Sequence, residues 1–218
     1  LITAPRYMRK SLLNLIRQEA ENAQAGKASG ICIKINSLED REIIEGLYAA
    51  SQAGVPIRLI VRGMCCLRPG RKGLSENITI RSLVGDFLEH SRIFYFHQNG
   101  DPLIYGGSAD AMVRSFDRRI ESLFKLVDLR VKQETIHILW YSLQDNVNAY
   151  EMQEDGTYIK TPVLPGKEPL NIHKAFYDVT LDEVMGVSLF QNPVAQVERP
   201  DETTVVAEMK MGEDTADI

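Results

Sequence analysis

The sequence predicts an α/β domain, and three observations carry that expectation. IRLIV (57–61) is a continuous apolar run, the kind of strand buried on both faces of a parallel sheet. GICIKIN (30–36) reads as a second strand, with Ile31, Ile33 and Ile35 on one face and Lys34 and Asn36 on the other. Between them the apolar residues recur with helical spacing, so the three segments form a βαβ unit.

Each element follows from local chemistry. Residues 4–24 form an amphipathic helix, with Thr3 as N-cap, Pro5 in the first turn and Met8, Leu12, Leu15 and Ile16 on one face. Gly26 ends it. After the first strand, Ser37 caps a helix running to about Gln52, with Ile43, Ile44, Leu47 and Tyr48 inward and Gly54 just beyond its end. RGMCCLRPGRKGLSEN (62–77) is a loop rich in Gly and Pro. NITIRSL (77–83), HSRIFYF (90–96) and PLIYG (102–106) are further strands, the last two joined through NGD (99–101) as a hairpin. RRIESLFKLV (118–127) is another strand, followed by a helix to about Leu143 and a small hairpin turning at Asp155-Gly156. Beyond Pro162 the patterning fades, and PVLPGKEPL reads as a linker. The expected division is a domain over 1–162 and a linker with an acidic, mobile tail over 163–218.

The 218 residues are 44 % hydrophobic, enough for one ordinary core plus an extension. No apolar run reaches membrane-spanning length. The opening LITAPRYM carries neither an initiator Met nor a leader, which is the expectation for a domain of a longer protein. Cys32, Cys65 and Cys66 fit neither a zinc spacing nor a disulfide framework, so reduced thiols in a cytosolic protein are expected. The net charge of −5 is carried entirely by residues 194–218, leaving the body neutral and able to take an anionic substrate.

Phosphate-loop, HExxH and GxSxG motifs are absent. Three groups remain. Arg62 follows the IRLIV strand, and ligands of open parallel sheets collect beyond the carboxyl ends of their strands. There its guanidinium can fork onto phosphate oxygens, or simply be an exposed strand-end charge. Arg68, Arg71 and Lys72 form a basic loop, which either holds a polyanion or is merely solvated. FLEHSRIFYF (87–96) places His90 and Arg92 on one face if the segment is a strand throughout. GGSAD (106–110) follows it, with small residues that let backbone approach a ligand and with Ser108 as a donor to an oxyanion. Asn36 is a weaker pocket-lining candidate. His137 reads as structural, and His97 and His173 as turn and linker residues.

His-x-Arg followed by Gly-Ser-x-Asp resembles half of the phospholipase D superfamily signature, HxK with a distal GSxN. Arg92 takes the Lys place, Asp110 the Asn place, and His97 stands where that signature has its Asp. Longer strings extend the likeness. TAPRYMRK, KINSLED, LYAASQAGVPIRLIVRGMCCLRPG, LSENITIRS, FLEHSRIFYF, GGSAD and DRRIESLF are similar, in order and spacing, to the C-terminal domain of bacterial polyphosphate kinases over residues 1–160. The resemblance implies a phospholipase D-like mixed sheet flanked by helices. It implies reversible transfer of the terminal phosphoryl group of ATP to polyphosphate, with Mg²⁺, through a phosphohistidine on a preceding domain. His90 falls on the family's second essential histidine and Arg62 on its nucleotide-contacting arginine, with Arg92 as a further phosphate contact. The metal-associated arginines belong to the preceding domain, so no metal ligand is named in this chain. The implied partners are ATP or ADP, polyphosphate, the upstream domains and further copies of the parent, with no nucleic acid and no membrane span. The implied location is cytoplasmic, with membrane association of the parent as an alternative. Two rival readings stay open: a phospholipase D-like phosphodiesterase or nuclease completed by homodimerisation, and a fragment that binds without turnover.

Overall fold

The computed structural model describes residues 1–178 and 187–190. The acidic stretch 194–218, expected to be mobile, lies outside them. A nine-stranded mixed sheet forms the centre, flanked by helices on both faces. Its middle is the predicted βαβ unit: β2 (Ile31–Ile35), α2 (Arg41–Gln52) and β3 (Ile57–Val61), with β2 and β3 parallel. The fourth strand, β4 (Ile78–Leu83), continues the parallel run beside β3.

The remaining strands are antiparallel to their neighbours. β5 (Ile93–Phe96) pairs with β2, β6 (Leu103–Gly107) with β5, and β7 (Ser122–Lys125) with β6. The two-residue β1 (Ile2–Thr3) closes that side against β7. On the other side the hairpin β8 (Ala149–Met152) and β9 (Tyr158–Lys160) extends from β4. The topology has one consequence for function. Because β5 runs against β2, its beginning lies at the same sheet edge as the carboxyl ends of β2, β3 and β4.

Alternation of side chains divides the interior into two cores. Ile31, Ile33, Ile35, Ile57, Leu59, Phe94 and Phe96 face α1 (Met8–Gln24) and α2. Cys32, Ile60, Tyr95 and Ile104 face α4 (Leu129–Gln144) and α5 (Ile172–Asp178). Met8, Leu12, Leu15 and Ile16 are buried along α1 as their spacing predicts. Among the described residues no helix is long and apolar enough to cross a membrane.

Several local expectations change. Thr3 does not cap α1; it pairs with Ser122 in the sheet, and the helix starts at Met8. Ser37 does not cap α2, because Leu38 is held extended by backbone bonds with Met64 and Cys66. Asp40 caps instead, accepting from the Ile43 amide at 3.1 Å. The same carboxylate accepts from Arg9 at 2.9 and 3.0 Å, and Arg9 also reaches Asp117 at 2.7 Å, tying α1 to α2 and to α3 (Val113–Asp117). The α3 turn is too short for a periodic signal. The strand expected over 118–127 shrinks to Ser122–Lys125. His137 is buried in α4 against Trp140 and Tyr141, as a structural histidine should be.

The glycines of GGSAD serve packing rather than ligand approach. A Cβ on Gly107 would run into the Ser122 carbonyl and Leu123, and one on Gly106 would press on the Phe124 ring. Gly107→Ala is therefore expected to cost about 2–3 kcal/mol as overpacking. The readout is the urea midpoint; a wild-type midpoint would mean that the β6–β7 pairing gives way freely.

Candidate functional site

At the carboxyl edge, Asn36 immediately follows β2, Arg62 immediately follows β3, and β4 ends in Leu83. The chain then runs as an irregular segment, 84–92, along that edge to reach β5, which begins at Ile93. His90 and Arg92 precede the strand, so they do not share a strand face as the sequence suggested. They meet because the Arg92 side chain turns back toward His90.

Arg92 Nη1 lies 2.8 Å from His90 Nδ1, 3.3 Å from Nε2 and 3.0 Å from the His90 carbonyl oxygen. Arginine can only donate, so the shorter ring contact is made with an unprotonated Nδ1. With Nδ1 as the acceptor the ring N–H falls on Nε2, itself 3.3 Å from the same Nη1, and His90 is an exposed residue. The rest of the guanidinium is committed to Asp110, with Nε 3.3 Å from Oδ1 and Nη2 3.2 Å from Oδ2. Asp110 is buried at 7 % exposure and also accepts from the Asn36 amide at 2.8 Å and the Asn36 side chain at 3.4 Å. Asn36, Asp110, Arg92 and His90 thus form one hydrogen-bonded chain from the end of β2 to an exposed imidazole.

Arg92 was expected to touch phosphate. Its fork is already occupied by Asp110, as a planar bidentate pair, and its Nη1 by His90. Sequence reasoning placed Asp110 in the motif without seeing this use; its carboxylate in place of the signature's Asn amide was the available signal. Ser108, expected as an anion donor, donates to Glu121, which also stands 4.0 Å from Arg119 Nη1.

Arg62 occupies a different part of the edge. It lines a cavity of about 290 Å³ with Gly63, Ser82, Val84, Tyr150 and Tyr158. Its Nη1 is buried and has no hydrogen-bond partner among the described residues. Leaving such a donor unpaired costs about 1–3 kcal/mol, more for a charged group. Arg71 and Lys72 of the basic loop do not gather here. Gly73, next to Lys72, accepts from Gln52 at the end of α2, and Arg71 lines a cavity with Ile78 and Glu154, at the opposite edge. Arg68 lies against the β8–β9 turn at Gly156.

Glu89, the neighbour of His90, lies between two buried cations or donors: Lys34 Nζ at 2.6 Å and His173 Nε2 at 2.8 Å. Burial pushes the Glu89 carboxyl up, but Lys34 and His173 more than offset this and hold it below the ordinary carboxylate range. His173 is thus no linker residue; it is 6 % exposed and sits in α5. His97 starts the turn Gln98–Gly100, with Nδ1 3.0 Å from the Tyr95 hydroxyl, and burial lowers its pKa. Among the described residues, no three His, Cys, Asp or Glu side chains converge to hold a metal ion.

Comparison with known proteins gives a consistent result. A family model described as polyphosphate kinase C-terminal domain 2 matches residues 1–172. A polyphosphate kinase of Thermosynechococcus vestitus is 46 % identical over 186 residues, 85 % of this chain and 25 % of the relative. One from Synechocystis is 51 % identical over 160 residues, 73 % of this chain and 22 % of the relative. The chain spans about a quarter of the length of such curated relatives. Among solved structures, the polyphosphate kinase of Porphyromonas gingivalis superposes with a TM-score of 0.77 at 39 % identity, covering 81 % of this chain and 27 % of that one. Nuc of Salmonella typhimurium, a phospholipase D family member, superposes at 0.51 with 12 % identity, covering 70 % of this chain and 95 % of that one. That second likeness is one of fold.

Proposed function

The chain belongs to the polyphosphate kinase C-terminal domain family, and from that premise we propose that its carboxyl edge is one wall of a phosphoryl-transfer site. The parent enzyme moves the terminal phosphoryl group of ATP onto polyphosphate. In the first step a histidine of a preceding domain attacks the γ-phosphorus, the bond to the β–γ bridging oxygen breaks, and ADP leaves. In the second, a terminal oxygen of polyphosphate takes the phosphoryl group from that phosphohistidine. The reverse sequence makes ATP.

Phosphoryl transfer asks the protein for positioning and charge stabilisation. His90 Nε2–H supplies a donor to the leaving or transferring oxygen, held in orientation by Arg92 and Asp110. Arg62 binds the nucleotide phosphates. Arg92 is chiefly the orienter of His90, with phosphate contact as its lesser role. The catalytic unit is read as residues 1–162, the remainder being an extension. Mg²⁺ enters this reading only as a companion of the nucleotide phosphates; the described side chains do not assemble a site for it, and no step is assigned to it. The parent is read as a homo-oligomeric cytoplasmic enzyme with ATP, ADP and polyphosphate as its ligands.

The observation that carries the reading is the buried, unpartnered Nη1 of Arg62 beyond the end of a central parallel strand. Such a donor is completed by an anionic oxygen. In the full-length protein, Arg62→Ala is expected to weaken ATP binding by about 2 kcal/mol, the scale of a charged hydrogen bond, or roughly thirtyfold in Kd. Calorimetric titration decides it, and equal affinity for ATP in both proteins sinks the assignment. A phosphodiesterase reading gains no support from the site, because the residues in the Lys and Asn places neutralise each other.

A further inference from the structure

We propose that Lys34, Glu89 and His173 form a latch through which α5 positions His90, so that this helix beyond the core sheet is part of the transfer machinery. The inference rests on the reading of His90 given above. Residues 84–92 cross from β4 to β5 over the ends of two intervening strands, without regular structure. Val84, Phe87 and Leu88 are exposed there at 63 %, 53 % and 77 %. A segment of that kind fixes a side chain only where something offsets the entropy of ordering it.

The fixing point is the residue immediately before His90. Glu89 Oε2 meets Lys34 Nζ from the strand below, and Oε1 meets His173 Nε2 from α5. His173 Nδ1 accepts from the Phe87 amide at 3.3 Å, which assigns the ring proton to Nε2 and makes it the donor to Glu89. The same imidazole lies against Gly85, where a Cβ would stand 2.6 Å from Nδ1. One ring therefore holds the crossing segment at three successive places: Gly85, Phe87 and Glu89.

The start of α5 is itself anchored. Asp145, fully buried, accepts from the Ile172 amide at 2.9 Å, and Asn148 donates to Asn171 Oδ1 at 2.9 Å. Asn171 in turn accepts from the His173 amide at 3.0 Å. Ile172 is packed into the second core. The Lys34 side chain is only 4 % exposed. Buried ion pairs contribute little net stability over apolar packing, and their best-attested use is to fix register. Placed beside His90, this one fixes the position of the imidazole.

The test compares wild type with His173→Ala, His173→Gln and Glu89→Gln. In the 218-residue chain, His173→Ala is expected to speed amide exchange across 84–92 while β2 and β3 keep their protection. In the parent enzyme it is expected to lower kcat by about tenfold, as a misplaced catalytic group does, with KM for ATP unchanged. His173→Gln retains an N–H toward Glu89 and is expected to recover most of kcat. Glu89→Gln keeps the side-chain shape but leaves the buried Lys34 without its counter-charge, and is expected to follow His173→Ala. Faster exchange with unchanged kcat overturns the latch, as does a change confined to KM. His90→Ala run in parallel separates the two readings: if it leaves turnover intact, the role of His90 fails. If it abolishes turnover while His173→Ala does not reduce it, the latch alone fails.

Discussion

Replacing His90 with alanine in the parent enzyme is expected to lower kcat by about 10²–10⁴-fold, the span a positioned acid or base supplies. Binding of ATP should change little, because Arg62 lines a separate cavity and no contact joins it to His90 among the described residues. The imidazole is exposed, and its shorter contact with Arg92 is through Nδ1. Its loss removes a donor needed most as charge builds on the departing oxygen, so the effect belongs in kcat. Single-turnover formation of ADP from ATP measures it directly. An unchanged single-turnover rate would assign His90 to scaffolding alone.

The second large effect is on stability. Asp110→Ala is expected to cost about 3–5 kcal/mol, the penalty for removing one member of a buried ion pair. Arg92, whose side chain is 14 % exposed, would lose its counter-charge, and the Asn36 amide would lose its acceptor. A domain of this size loses about 2–4 °C of Tm per kcal/mol, so a fall of roughly 10 °C is expected in thermal unfolding. Asp110→Asn keeps an acceptor for the Asn36 amide, removes the charge and turns the oxygen that accepts from Arg92 Nη2 into a donor. It should cost about 1–2 kcal/mol, a single charged hydrogen bond. If the Ala variant is no less stable than the Asn variant, the Asp110 clamp does not hold this edge of the fold together. The Asn variant also restores the residue of the phospholipase D signature, so its turnover shows whether Arg92 must be clamped to orient His90.

Much of the fold is legible in the chain because the signals are local. The run IRLIV, the alternation in GICIKIN and the spacing of Met8, Leu12, Leu15 and Ile16 each report the environment of their own segment. The structure puts these residues in the two cores those patterns imply. The motif strings also carry the family, which the match over residues 1–172 shows. Boundaries were less legible. Ser37 is as good a cap as Asp40 by composition, and only the pairing of Leu38 with Met64 and Cys66 makes Asp40 the first residue free to cap. Gly106 and Gly107 looked like a ligand approach and prove to be close packing against β7, a contact between segments that sequence does not announce.

By itself, then, the sequence determined the βαβ centre, the two apolar faces, the family and the position of Arg62 at the end of a parallel strand. The tertiary structure decided how the charges are used. Lys34 reads as the polar face of a strand, yet it is buried because the crossing segment brings Glu89 over it. Asp110 reads as a motif letter, yet it is the buried counter-charge that holds the Arg92 guanidinium. His173 reads as linker, yet it reaches back 84 residues to hold Glu89. Hydrophobic periodicity is written along the chain because burial acts on each element face by face. The partner of a charge is set by which distant segments the fold brings within about 3 Å, the reach of a hydrogen bond.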